Sequence, residues 1–590
     1  MDGSHDRRAR ICMDGSSGPW LPGGVTKTTP ARMVAALAAT VLLTGAVPVL
    51  APADVITGAS AAAATPPPTT STRAPSMVPA PDWFPCPEAP AYECATVRVP
   101  TDHDRPHGPH TAVAVTRLPA TDPAQREGSL LVNFGGPGGE GVSTLHATGE
   151  HLFEPEVRER FDLVSFDPRG VGLSDPATCF RTPDDEAAFL ARTVALPTDQ
   201  RQAGRMVAEA AVLGASCTLY SHDRLASASS ANVARDMDLL RQALGDEQLT
   251  YVGYSYGTIL GATYAALYPD RVRAMVLDGP LDPRAWSGVG SREVIGVRLG
   301  QAEGFERTSG EFARLCAEAG PRGCPLAGLG DPATVLEDLL AALREGPVEL
   351  PAGDGSTVEV GYAEVLSVVF QSMYSSAAWT DLSALLAVLA VEAGVVPQAP
   401  RTLAAPRGAG ELLRRLLGAE DYAGSVGSSL ATLCADDAAD VSVADYRRQA
   451  AALEAAHPHW GTLRGWTGVH CEFVHARDDD AYTGPWEQQV EAPVLVVGTT
   501  YDPATVYEHA APYAGLWPDA RLLTLEGWGH TVPSVGSSCA DAAVARYLVA
   551  LEADDGAVCA QDTAPFGDAP ATSRTAPAPH PGAVPWTPGL

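Results

Sequence analysis

The chain has 590 residues, 45% hydrophobic and 19% charged, a balance that fits globular rather than disordered chains and a length that allows more than one domain. Its 40 Lys and Arg against 71 Asp and Glu leave a net charge of −31, which argues against a nucleic-acid partner because the phosphate backbone would be repelled. The same acidity keeps the surface soluble and favours cationic ligands.

Residues 1–64 read as an export signal. Arg7, Arg8, Arg10, Lys27 and Arg32 precede an Ala/Val/Leu-rich stretch at 33–50, and a small-residue run at 58–64 follows. Basic, then apolar, then small is the order of a secretory signal peptide, with cleavage expected near 61–64. Thr40, Thr44, Gly45 and Pro48 interrupt the apolar stretch, so no stable membrane anchor is expected. The basic region is long for a signal, in keeping with a translation start downstream of Met1, and the protein is expected to be secreted. Cys12 would leave with the signal. The remaining ten are Cys86, Cys94, Cys179, Cys217, Cys316, Cys324, Cys434, Cys471, Cys539 and Cys559. An even number in an exported chain points to five disulfides. Pairing in sequence order keeps every loop local, although about 900 pairings are formally open to ten cysteines. No C-x-x-C pair occurs, so a structural zinc site is not expected; the sequence calls for no other metal and no cofactor.

A Pro/Thr/Ser/Ala-rich lead-in covers 65–81, and a tail of similar composition at 563–590 is expected to be disordered. Between them two blocks alternate short strand-like runs with helical patterns, the mark of an α/β sheet. The first, 82–285, has strands predicted at 112–117, 129–134, 161–166, 249–254 and 273–277 and a helix at 231–244. The second, 487–562, has strands at 493–497 and 521–525 and a closing helix at 540–551. Residues 286–486 are rich in Ala, Leu, Glu and Arg with helical periodicity at 333–344, 362–373, 382–391, 411–417 and 443–455. A helical block between two halves of one sheet is expected to be an inserted cap that covers the site and shapes its pocket. As an independent domain it would leave the second block too few strands for a core.

The sharpest signal is Gly253-Tyr254-Ser255-Tyr256-Gly257, between the strand at 249–254 and a helical stretch at 258–267. G-x-S-x-G in that context is a nucleophile elbow: the flanking glycines tolerate the strained turn, and the hydroxyl stands at the positive end of a helix. With 57 glycines the pattern alone could arise by accident, so the partners decide it. A serine hydroxyl needs a base and an orienting carboxylate, and in this fold the chain order is Ser, Asp or Glu, His. His530, in Gly527-Trp528-Gly529-His530, is the predicted base. Asp502, just past the strand at 493–497, is the predicted acid, where strand ends point carboxylates into the ligand crevice. Asp278, ending the strand at 273–277, is the rival, with a turn role in Asp278-Gly279-Pro280 as its alternative. The oxyanion donors are expected at Tyr256 and near Gly136, in Gly135-Gly136-Pro137-Gly138-Gly139-Glu140-Gly141. That run lacks the Lys-Ser/Thr ending of a phosphate loop. Asp102-His103-Asp104 with His107 and His110 could mimic a metal cluster but reads as a polar turn.

Gly135–Gly139, Asp167-Pro168-Arg169-Gly170-Val171-Gly172-Leu173-Ser174, Gly253–Gly257 and Gly527–His530 resemble the secreted α/β-hydrolases of the tripeptidyl aminopeptidase group, relatives of proline iminopeptidase. Similarity also runs from Asn232 to Asp238 and on to the elbow, and from Pro493 to Cys559, including Tyr501-Asp502-Pro503-Ala504-Thr505. Phe134, Glu140, Val506 and Glu472-Phe473-Val474-His475 depart from the group's pattern. The resemblance implies an α/β-hydrolase fold, a mostly parallel sheet flanked by helices and carrying an inserted helical cap. It implies Ser255 as nucleophile, Asp502 as acid, His530 as base, and removal of short peptides from free N-termini. Such an exopeptidase needs carboxylates to receive the substrate ammonium, and Glu140, Asp436 and Asp437 are the candidates, each also readable as an ordinary solvated acid. A carboxylesterase or lipase using the same triad, and a secreted binding protein on an inactive scaffold, are the alternatives, since the fold does not select the chemistry.

Overall fold

Apolar runs too short for helices build the centre of the molecule. The computed structural model describes residues 78–351, 356–396, 409–416 and 426–567. The predicted signal, most of the lead-in, the tail beyond 567 and part of the expected helix at 411–417 lie outside these residues.

The described residues hold twelve strands: β1 (Phe84–Pro85), β2 (Glu93–Pro100), β3 (His110–Leu118), β4 (Gly128–Asn133), β5 (Phe161–Phe166), β6 (Leu249–Tyr254), β7 (Val272–Asp278), β8 (Val348–Pro351), β9 (Thr357–Val360), β10 (Val494–Tyr501), β11 (Ala520–Trp528) and β12 (Ala557–Ala560). Ten of them form one sheet in the order β1-β2-β3-β5-β4-β6-β7-β10-β11-β12, and β8 pairs with β9 separately. From β5 to β12 every pairing is parallel, whereas β1, β2 and β3 join antiparallel at one edge. The central strands β4, β5 and β6 are buried at every position, as parallel strands covered on both faces must be. Antiparallel β2 alternates buried and exposed residues along most of its length.

Alternation splits the sheet's side chains between two cores. Leu131, Val164 and Tyr251 face one way, against Val233, Met237 and Leu240 of helix Ser230–Leu244 and Ile259 and Leu260 of helix Gly257–Leu267. Leu130, Leu163 and Val252 face the other, against Val544 and Leu548 of helix Ser538–Ala550. Each such fully buried side chain contributes about 1.5–3 kcal/mol. Helix Ser230–Leu244 is well delimited: Ser229 Oγ caps its start by accepting the Asn232 N–H, and Gly245 ends it at a left-handed φ of 93°.

Between β7 and β10 the described residues are mainly helical, with the β8-β9 hairpin as their sheet component. This stretch supplies most of a third core, including Phe305, Phe312, Leu366, Phe370, Trp379 and Leu386. The first residues of the predicted tail pack there too, with the Phe566 ring 5.7 Å from that of Phe312. Among the described residues five disulfides join Cys86–Cys94, Cys179–Cys217, Cys316–Cys324, Cys434–Cys471 and Cys539–Cys559. No helix among the described residues is long and apolar enough to cross a membrane.

Candidate active site

The parallel strands carry the candidate site residues at their C-terminal ends. β6 runs into the turn at Ser255, whose φ of 55° places a non-glycine residue in the left-handed region. The turn is held by the Ser255 N–H, which donates to Asp278 O at 2.8 Å, and by Thr258, whose N–H donates back to Ser255 O at 2.8 Å. Helix Gly257–Leu267 then begins, with its positive end at the serine. Ser255 is partly exposed, and its hydroxyl has no hydrogen-bond partner among the described residues.

Two strands away, β10 ends at Tyr501 and delivers Asp502 into the interior, fully buried. Its Oδ1 accepts the N–H groups of Ala504 and Thr505, each at 2.8 Å. Its Oδ2 accepts the Thr505 hydroxyl at 2.8 Å and His530 Nδ1 at 2.8 Å. A carboxylate so supplied with donors is fixed in place and aims one oxygen at the imidazole. His530 follows β11, 5% exposed. Its N–H donates to Tyr374 O at 2.8 Å, and the Tyr374 ring meets the imidazole edge-on at 5.3 Å. Ser375 pairs with Gly529 in an isolated antiparallel bridge, so a helical-region segment forms one wall of the histidine loop.

The glycine loop after β4 lies on the elbow. At Gly135 (φ 93°) a Cβ would stand 2.9 Å from Ser255 Cβ, a closeness that only glycine permits. Neither the Gly136 nor the Tyr256 N–H is engaged within the described residues. Asp167 secures the helix that follows the loop: Oδ1 accepts the Val142 N–H at 2.9 Å and Oδ2 the Leu173 N–H at 2.8 Å. Burial pushes its carboxyl up to about 6 against these hydrogen bonds. Arg169 of the same motif pairs with buried Asp236 at 2.6 Å.

Of the three acids expected to meet substrate, two are otherwise committed. Asp436 is 6% exposed; it accepts the Ser230 N–H and Trp286 Nε1, both at 2.9 Å, and the Ser230 hydroxyl at 2.5 Å. Ser230 Oγ in turn accepts the Tyr256 hydroxyl at 2.6 Å. Burial raises the Asp436 carboxyl to about 6 against these hydrogen bonds. Asp437 accepts Arg298 Nη2 at 2.8 Å, both side chains being under 9% exposed. Neither carboxylate is open to a ligand, which corrects the expectation for both. Glu140 stays partly exposed and accepts the Ser143 hydroxyl at 2.9 Å. Asp278 is buried behind the serine. The Asp102–Asp104 segment forms the polar turn between β2 and β3, where Asp102 accepts Arg105 Nε at 2.5 Å and His103 meets Asp236 at 3.0 Å. Thr505 and Tyr374 escaped sequence reasoning. Thr505 carries a faint signal, a hydroxyl three residues past a carboxylate, and Tyr374 carries none.

A model of the α/β-hydrolase fold matches residues 129–316, and a model described as TAP-like protein matches 457–559. Serine protease Hip1 of Mycobacterium tuberculosis is 32% identical over 492 residues, spanning 79% of this chain and 88% of its own. The chain belongs to the TAP-like α/β-hydrolases. Tripeptidyl aminopeptidase of Streptomyces lividans is 30% identical over 498 residues, 80% of this chain and 84% of its own. A protein named carboxylesterase B, also of M. tuberculosis, is 32% identical over 486 residues, 81% of this chain and 89% of its own. This TAP-like hydrolase is a serine hydrolase of the peptidase group.

Proposed function

We propose that the protein is an exported aminopeptidase that releases tripeptides from free N-termini through an acyl-enzyme. The observation that carries this reading is the buried 2.8 Å contact of His530 Nδ1 with Asp502 Oδ2, on loops that end neighbouring strands of the sheet that also carries the serine turn. Ser255 attacks the scissile carbonyl while His530 takes its proton, and Asp502 holds the imidazole and balances the imidazolium. The N–H groups of Gly136 and Tyr256 receive the developing oxyanion. His530 then protonates the leaving amine, and water, deprotonated by the same histidine, releases the tripeptide. Glu140, at the end of the glycine loop, receives the substrate ammonium. The relatives named tripeptidyl aminopeptidase support the substrate class. The predicted signal and the five disulfides support export.

The relative named carboxylesterase B favours a second reading, an esterase using the same residues. Tripeptide anilides with free and with acetylated N-termini, assayed beside short acyl esters, separate the two. Preference for the free amine supports the aminopeptidase, and indifference to acetylation with faster ester turnover refutes it. Ser255→Ala abolishes turnover and fluorophosphonate labelling while leaving the fold intact; a labelled or active variant removes the serine from its role.

A further inference from the structure

Asp278 closes β7 directly behind the nucleophile, where its carbonyl oxygen holds the Ser255 N–H. Its side chain turns instead to the histidine loop. Oδ2 accepts the Val532 N–H at 2.8 Å, two residues beyond His530. Oδ1 is buried without a hydrogen-bond partner, and the whole residue is only 2% exposed. The chain then presses on the imidazole: at Gly279 (φ 68°) a Cβ would lie 3.1 Å from His530 Cε1 and 3.0 Å from Thr505 Oγ1. One residue pair thus holds the serine turn, the backbone of the histidine loop and a contact surface for the imidazole ring.

We propose that Asp278 is a positioning residue for the base: as a neutral carboxyl it braces the His530 loop through Val532, and on ionising it places a second negative charge beside the His530–Asp502 pair. The proposal rests on the reading of Ser255 and His530 given above. An ionised carboxylate with one oxygen bare in the interior is far more costly than a protonated one. The surroundings agree. Burial pushes the Asp278 carboxyl up to about 7, opposed by the Val532 N–H and by His530 and reinforced by Asp502 and by Asp541 of helix Ser538–Ala550. Tyr254 of β6 also faces it, and its hydroxyl is raised well above the ordinary tyrosine range, chiefly by its own burial and further by Asp278 and Asp541. When Asp278 loses its proton, the added charge favours the protonated imidazole, the form that cannot act as a base. The ionisation of Asp278 is therefore expected to show in the pH dependence of the rate.

Asp278→Asn keeps the shape and an oxygen for the Val532 N–H but cannot ionise; Asp278→Leu removes the acceptor. Both are assayed for kcat and KM on a tripeptide anilide from pH 5 to 9, with Tm recorded alongside and Ser255→Ala as control. Asp278→Asn is expected to lose the part of the profile that follows Asp278 ionisation, so that its acidic limb is steeper than that of wild type. Asp278→Leu is expected to lower kcat by about 10–100-fold with KM within roughly threefold, the sign of a misplaced catalytic group. An Asp278→Asn profile that superimposes on wild type, whatever its Tm, overturns the proposal. So does an Asp278→Leu enzyme that loses Tm but keeps kcat. A Ser255→Ala protein that still turns over substrate removes the underlying triad, and that failure is told apart by its appearing with Asp278 intact.

Discussion

Replacing Ser230 by alanine tests how the backbone donor at Tyr256 is held. In the wild type the Tyr256 hydroxyl donates to Ser230 Oγ at 2.6 Å, and Ser230 Oγ donates to Asp436. Alanine strands the Tyr256 hydroxyl, which belongs to a residue 2% exposed, and removes one of the three hydrogen bonds on Asp436. A stranded buried hydroxyl costs about 1–3 kcal/mol and a lost hydrogen bond to a charged group about 1.5–3, so with partial relaxation the fold should lose about 3 kcal/mol. Unfolding entropy grows by about 2 cal/mol/K per residue, so in a chain of this size that loss lowers Tm by only about 3 °C. The kinetic effect should be larger. Deleting an oxyanion donor outright costs roughly 100–1000-fold in kcat, and loosening one should cost about tenfold with KM nearly unchanged. Stopped assays on a tripeptide anilide, with Tyr256→Phe measured in parallel, read this directly. If both variants keep kcat within a factor of two, the tyrosine side chain does not set the position of its own N–H.

Three further outcomes are expected. Asp502→Asn should fold and lower kcat by about 10⁴-fold, because the amide supports the wrong imidazole tautomer; a loss under tenfold in the pH-independent rate would count against Asp502 as the acid. Replacing Cys434 and Cys471 by serine opens a link of sequence separation 37 and should destabilise the protein by about 2–4 kcal/mol in urea melts, with no change from wild type refuting a structural role. The Asp436 carboxyl, raised to about 6 in the fold from an ordinary 3.8, makes a contribution that is complete below 3.8 and is lost as pH climbs to 6. Asp436→Asn should therefore flatten the wild-type decline over that window by on the order of 3 kcal/mol, and parallel stability curves for the two proteins would refute it.

Much of the fold was legible because local pattern and tertiary role agree. The runs at 161–166 and 249–254 coincide with β5 and β6, whose full burial leaves only apolar or packed residues there. Helix Tyr362–Met373 matches its prediction for the same reason. Helix Gln301–Gly323 was missed: Gly304, Gly310, Gly320 and Pro321 lower its intrinsic preference, and packing of Phe305 and Phe312 overrides them. The 26-residue helix Gln200–Leu225 was missed as well: its buried residues Ala203, Met206, Ala210, Leu213, Cys217 and Ser221 recur at helical spacing, but Ala and Ser at that spacing mark an apolar face only weakly. Glycine-rich context and chain order singled out Ser255, Asp502 and His530 as the candidate triad, and the structure sets Asp502 and His530 in contact at 2.8 Å. Asp436 was misjudged because its partner Ser230 lies 206 residues away, and an acid beside a cysteine gives no hint of a distant serine and indole.

The bridge between Ser375 and Gly529 has a consequence for timing. The helical segment that covers this side of the molecule also lends the carbonyl that holds the His530 N–H. Any displacement large enough to part Ser375 from Gly529 withdraws that carbonyl in the same movement. Were a ligand to enter by that route, the His530 N–H would lose its partner while the segment is displaced and regain it only once the segment has seated again.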